Sequence, residues 1–139
     1  LHNVVTTMPA RNTMKKSGKV LGALEEAIMD ILWKKGQGTV REICDVVSRR
    51  RGIAYTTVMT VMARLHEKGI LKRALHEGGA YVYTPQKPRA QFFEDASKIF
   101  IEQLIRDFGE IAVAQFFDVL ERHDPAKLRE WRNKLKKVK

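Results

Sequence analysis

The segment Ala54 to Leu65, followed by His66-Glu67-Lys68-Gly69, constrains this chain more than any other. At 100° per residue, Val58, Val61, Met62 and Leu65 fall on one stripe, while Thr56, Thr60 and Ala63 point the opposite way with Thr57 and Arg64 beside them. The spacing predicts a helix from about Tyr55 to Lys68, stopped by Gly69. One face is built to bury. The other is short, polar and uncharged apart from arginine, where a merely solvated helix would carry Glu and Lys. Such a face suits the major groove, where threonine hydroxyls and methyls meet base edges and arginine forks onto guanine or phosphate.

The flanking segments supply the rest of a small domain. Leu24, Ala27, Ile28, Ile31 and Leu32 recur at threes and fours, and Gly36 stops the helix they predict. Thr39-Val40-Arg41 is β-prone and short enough to be a small strand or the start of a helix. Glu42 to Arg51 carries Ile43, Val46 and Val47 on one side and ends in Arg49-Arg50-Arg51-Gly52, with cations at the negative pole of a second helix. After Gly69 the period drops to two: Leu71, Arg73 and Leu75 alternate with Lys72 and Ala74. Glu77-Gly78-Gly79 then turns the chain into Tyr81-Val82-Tyr83. Three helices containing a helix-turn-helix, then a β-hairpin, predict a winged helix.

Charge agrees with a polyanionic partner. The 139 residues carry a net charge of +10. Residues 1–85 hold 14 basic against 7 acidic side chains, and residues 86–139 hold 12 against 9, so the excess is concentrated around the predicted recognition helix. The expected DNA contacts are Thr56, Thr57, Thr60 and Arg64 in the groove, with Arg41, Arg50, Tyr55, Lys72 and Arg73 on phosphates. One of Thr56 and Thr57 could equally cap the helix. Arg64 could pair with Glu67 instead. Tyr81 and Tyr83 share a face and are expected to pack the wing on the core.

From Arg89 onward the pattern is helical again, with Phe92, Phe93, Ala96, Ile99, Phe100, Leu104 and Ile105 on one side. Phe116, Val119 and Leu120 continue the apolar side beyond Gly109. Asp124-Pro125 is a helix start, followed by Leu128, Trp131 and Leu135 expected to face inward. So many aromatics cannot be buried against a wing, and a second copy is the simplest cover. Phe92, Phe93, Ile99, Phe100, Leu104, Phe116, Leu120 and Trp131 are the expected dimerisation residues. The domain reading is a flexible basic arm over 1–19, in which Met8 or Met14 could be the start, a winged helix over 20–86, and a helical dimerisation domain over 87–139.

No enzymatic motif is present, and the four histidines lack ligand spacing, so no catalytic residue, metal or cofactor is expected. One cysteine, Cys44, excludes an internal disulfide and fits a reducing cytoplasm. No apolar run is long enough to span a bilayer.

Leu21-Gly22-Ala23-Leu24-Glu25, Met29, Leu32-Trp33, Thr39-Val40-Arg41-Glu42, Ala54 to Thr60, Arg64-Leu65 and Lys68-Gly69 together resemble the penicillinase repressor (BlaI/MecI/CopY) family. The resemblance runs from about Val20 to Pro85 and continues more loosely beyond. It implies a homodimeric winged-helix repressor whose recognition helices read a palindromic operator and which controls β-lactamase, resistance or copper-handling genes. For staphylococcal members it also implies a membrane-bound sensor peptidase pathway leading to cleavage of an Asn-Phe bond. At the matching position this chain has Ile99-Phe100, so isoleucine stands where that pattern has asparagine. The C-terminal cysteine cluster of copper-responsive members is also missing.

The sequence therefore predicts a mostly α protein with a small β-hairpin wing, a winged helix-turn-helix plus C-terminal dimerisation helices, acting as a cytoplasmic DNA-binding repressor. Its first alternative is a winged-helix protein-interaction module without sequence-specific DNA binding. A further alternative keeps DNA binding and makes the C-terminal helices a small-ligand pocket.

Overall fold

The computed structural model describes residues 20–138. The expected basic arm and the alternative starts at Met8 and Met14 lie outside them. The elements are α1 (Ala23–Lys35), α2 (Val40–Arg51), α3 (Tyr55–Glu67), β1 (Leu71–Leu75), β2 (Tyr81–Pro85), α4 (Arg89–Phe108), α5 (Glu110–Arg122) and α6 (Pro125–Val138). Mostly helical with one antiparallel hairpin, this is the winged-helix class the sequence predicts. Two compact units result, one through Ser97 and one from Lys98. The first includes the start of α4.

Local chemistry sets the helix ends in the first unit. The Glu25 carboxylate accepts a hydrogen bond from the Gly22 N–H at 2.9 Å, satisfying a donor at the start of α1. Thr39-Val40-Arg41 resolves into a helix start. Thr39 Oγ1 accepts from the Glu42 N–H at 3.2 Å and the Glu42 carboxylate accepts from the Thr39 N–H at 2.9 Å, a reciprocal capping box. The β character of this region is confined to Gly38, whose backbone pairs with Tyr83 of β2. At the far end of α2, Gly52 takes φ +64°, a left-handed conformation that a side chain would strain.

The three helices and the root of the hairpin enclose one core. Ile28, Met29 and Leu32 of α1 meet Ile43 and Val47 of α2, Val58, Met62 and Leu65 of α3, Leu71 of β1 and Tyr83 of β2. Fully burying aliphatic side chains of this size contributes about 1.5–3 kcal/mol each. The stripe predicted for α3 is therefore what fixes that helix, with Val61 half-buried at its edge. Cys44 is buried and free.

In the hairpin Leu71 pairs with Pro85, Arg73 with Tyr83 and Leu75 with Tyr81. These residues share a face, yet only Leu71 and Tyr83 reach the core; Tyr81 and Leu75 lie outside it and are exposed. The expectation of core packing therefore holds for Tyr83 and not for Tyr81, because Tyr81 lies nearer the tip of the hairpin.

The second unit is different in kind. Among its described side chains none is buried, and Phe108, Ile111, Phe116, Phe117, Val119 and Leu135 are all more than half exposed. Its helices are nonetheless well defined at their ends: the Asp124 carboxylate accepts from the Ala126 N–H at 3.0 Å, directly before the α6 start at Pro125. In the single chain, Trp131 and Leu135 are exposed and Leu128 is half-buried.

Candidate nucleic-acid interface

The exposed face of α3 carries Thr56, Thr57, Thr60 and Arg64, directly opposite the buried Val58, Met62 and Leu65. The backbone before Thr56 explains why its hydroxyl remains available. Ala54 is the N-cap, with no side-chain bond, and its carbonyl accepts from the Thr57 and Val58 N–H groups at 3.1 and 3.2 Å. Neither Thr56 nor Thr57 is spent on capping. Thr60 Oγ1 donates to the Thr56 carbonyl at 2.9 Å, which fixes its hydroxyl proton while leaving oxygen lone pairs to accept. Among the described residues Arg64 forms no ion pair, and the alternative pairing with Glu67 is not made.

Met59 belongs to the same face and sequence reasoning passed over it. It is 43% exposed, three residues after Thr56 and four before Ala63. Helical spacing alone placed it there. An exposed thioether beside threonine methyls is suited to apolar contact with thymine methyl groups.

Two arginine–tyrosine contacts frame the helix. The Arg41 guanidinium, in the first turn of α2, sits 5.3 Å above the Tyr55 ring and so joins the starts of α2 and α3. In the wing, the Arg73 guanidinium lies 4.1 Å over the Tyr81 ring and donates through Nη1 to the Tyr83 hydroxyl at 3.1 Å. That hydrogen bond is the chief reason the Arg73 pKa is raised from its ordinary value. Lys72, on the opposite face of the hairpin, is exposed. The structure thus commits Arg73 to a clamp between two tyrosines and leaves Lys72 as the outward cation.

Arg50 is placed differently. It stands in the last turn of α2, nine residues and so about 13 Å along the axis from Arg41. There it lines a cleft with α1.

The expected dimerisation residues divide between the units. Phe92 and Phe93 pack against Trp33, with ring centroids 5.4 and 5.6 Å away, and the indole Nε1 donates to the Lys87 carbonyl at 3.0 Å. This aromatic group fixes the start of α4 within the first unit. Leu104 and Leu120 are half-buried in the second unit, whereas Ile99, Phe100 and Phe116 are exposed. Trp131 is also exposed and stacks on His123, centroids 5.4 Å apart. Ile99 and Phe100, at the position matching the cleaved bond, lie inside helix α4. Among the described residues no helix is long and apolar enough to cross a membrane, and no three His, Cys, Asp or Glu side chains form a metal cluster.

The family model for the penicillinase repressor matches residues 21–135. The chain belongs to the penicillinase repressor family. Within it, the chain is 44% identical over 66 residues to "Transcriptional regulator BlaI" of Mycobacterium tuberculosis, covering 47% of each chain. This family member therefore spans about half the length of the mycobacterial relatives it matches. It is 29% identical over 105 residues to the "Penicillinase repressor" of Bacillus licheniformis, covering 76% of this chain and 80% of that one. Among solved structures, a possible transcriptional regulator from Methanosarcina mazei Go1 shares the fold, with a TM-score of 0.51 at 17% identity over 88% of both chains. The DNA-binding domain of the repressor BlaI, solved in solution, is 27% identical with a TM-score of 0.46, covering 50% of this chain and 84% of that one.

Proposed function

We propose that this penicillinase repressor family protein is a cytoplasmic homodimeric transcriptional repressor that binds a palindromic operator in double-stranded DNA and is not an enzyme. The observation that carries the reading is the face of α3. Thr56, Thr57, Thr60 and Arg64 project from a helix whose opposite side is locked into the core by Val58, Met62 and Leu65. Rigid mounting of short polar side chains is what direct readout of a major groove requires. Arg41 and Tyr55 beside the start of α3, and Lys72 on the wing, then hold phosphates and fix the register.

The second unit supports the dimer. Phe108, Ile111, Phe116 and Phe117 are each more than half exposed, and no described side chain from Lys98 onward is buried in a core. Covering such a surface with a second copy buries it and yields an isologous interface, which matches a two-fold operator. Two half-sites bound together then gain through effective concentration what one wing and helix lack. Loosening that interface would release the operator, which makes the C-terminal helices the natural target of induction. The regulated genes would be a β-lactamase, resistance or stress operon. A membrane sensor peptidase pathway would have to act on a transiently opened α4 to reach Ile99-Phe100, since proteolysis proceeds through the opened chain.

The test is binding of the purified protein to labelled DNA from upstream of its own gene, against a scrambled duplex, over a salt series. A nanomolar complex with two protomers is expected on the upstream DNA, well above the scrambled control. Equal and steeply salt-dependent binding to both would reduce the interaction to phosphate attraction. No binding at moderate salt would favour the protein-interaction alternative.

A further inference from the structure

The winged-helix unit contains a cleft of about 850 Å³, within the size range of small-molecule sites. Its walls are α1, the last turn of α2, and Pro88-Arg89 at the start of α4. Ala23, Ala27 and Ile31 follow one another at intervals of four along α1 and form an apolar floor, with Val47 buried behind them in the core. The cleft exists because two of those positions are alanine. Large residues at neighbouring positions, Ile28 and Leu32, face the core instead.

The rim is cationic. Lys34, Arg50, Arg51 and Arg89 stand against Glu26 and Asp30. The acids neutralise this only loosely: Arg89 Nε lies 3.8 Å from Asp30, with both side chains more than half exposed. The Arg89 guanidinium is also held 4.9 Å over the Phe93 ring, so its planar fork is oriented rather than free. Apolar floor plus cationic rim selects an amphipathic anion. A phosphate dianion fits poorly, because the C-terminal, negative pole of α2 borders the same space. A monocarboxylate carries less charge to repel and matches the arginine fork in shape.

We propose that this cleft binds a small amphipathic monocarboxylate, an aromatic or branched apolar acid, with its hydrocarbon part on Ala23, Ala27 and Ile31 and its carboxylate between Arg51 and Arg89. Binding exchanges the loose Asp30 partner of Arg89 for the ligand. Because Trp33 lines the cleft and packs on Phe92 and Phe93, occupancy acts on the group that fixes the start of α4. The site stands independently of the operator-binding reading, and its test uses no DNA.

The experiment is isothermal titration calorimetry of the full chain with biphenyl-4-carboxylate, and with biphenyl-4-methanol as the uncharged isostere. The expected result is saturable binding of one acid per chain, weakened roughly tenfold or more in the isostere, in Arg51→Gln and in Ala27→Phe. Arg51 is exposed, so its variant tests the site even if Ala27→Phe disturbs packing. Absence of saturable heat overturns the proposal. So does equal binding of acid and isostere, or binding indifferent to Arg51→Gln, which would place the probe on the exposed apolar helices of the second unit. Binding that appears only on dilution to monomer would show the cleft covered by a second copy, and would also overturn it.

Discussion

The Lys68 ammonium lies 2.8 Å from the Glu25 carboxylate, joining the C-terminal end of α3 to the first turn of α1. Glu25 is mostly buried and accepts the Gly22 N–H with its other oxygen, so one side chain both caps α1 and anchors α3. Glu25→Gln should cost about 1–2 kcal/mol, from a weakened cap and a half-buried pair left without its charge. Lys68→Met should cost less, since it spares the cap. Chemical denaturation of both variants checks the order; equal losses would mean the cap contributes nothing.

The wing clamp makes a prediction about Arg73. If its guanidinium serves mainly to lock Tyr81 and Tyr83, Arg73→Lys should weaken operator binding nearly as much as Arg73→Gln, because lysine keeps the charge but loses the fork and the stack. A direct phosphate contact would instead leave Arg73→Lys near wild type. It would also lower the salt slope of Arg73→Gln by about 1. Fluorescence anisotropy over a salt series separates the two. For Lys72→Gln, on the opposite face, the account expects the slope to fall by about 1.

The capping box at the start of α2 predicts a pH dependence. The Glu42 carboxyl has its pKa lowered, first by the Thr39 backbone N–H and then, against desolvation, by Lys35 and the Thr39 hydroxyl. A folded-state pKa below the unfolded one gives stability that is present above the unfolded value and is lost as pH falls through the folded one. Wild type should therefore lose more stability than Glu42→Gln as pH drops through the carboxylate range. The two stability curves should converge at acid pH. Thr39→Ala should cost about 0.5–2 kcal/mol at neutral pH. Parallel curves would remove Glu42 from the account.

Much of this architecture was legible before the structure. Val58, Val61, Met62 and Leu65 predicted α3 because its 3.6-residue period is set by burial on one side. The glycines after Leu32 and after Arg51 marked helix ends for backbone reasons. What pattern could not resolve lay in tertiary partners. Phe92 and Phe93 repeat with Ile99 and Phe100, yet Trp33, distant in sequence, draws them into the first unit. Thr39-Val40 has strand propensity, and the Thr39–Glu42 box overrides it. At the candidate site, the shared exposed face of the threonines and Arg64 was readable from the helical wheel. Commitment of Arg73 to two tyrosines was not, because it depends on the hairpin register. Met59 was readable by spacing and obscured by its apolar side chain.

The second unit offers a direct prediction of assembly. Phe116→Asp should abolish dimerisation, measured by sedimentation equilibrium, while leaving the circular dichroism of the winged-helix unit intact, since Phe116 is exposed in the single chain. A stable dimer in that variant would place the interface elsewhere.

The central claim is that the polar face of α3 reads sequence, and the measurement that tests it is the affinity ratio between operator and scrambled duplex for wild type and Arg64→Ala. The account predicts a loss of about 1–3 kcal/mol on the operator, with binding to the scrambled duplex changed only slightly. An equal loss on both duplexes would contradict it, making Arg64 a phosphate contact and leaving specificity without a reader.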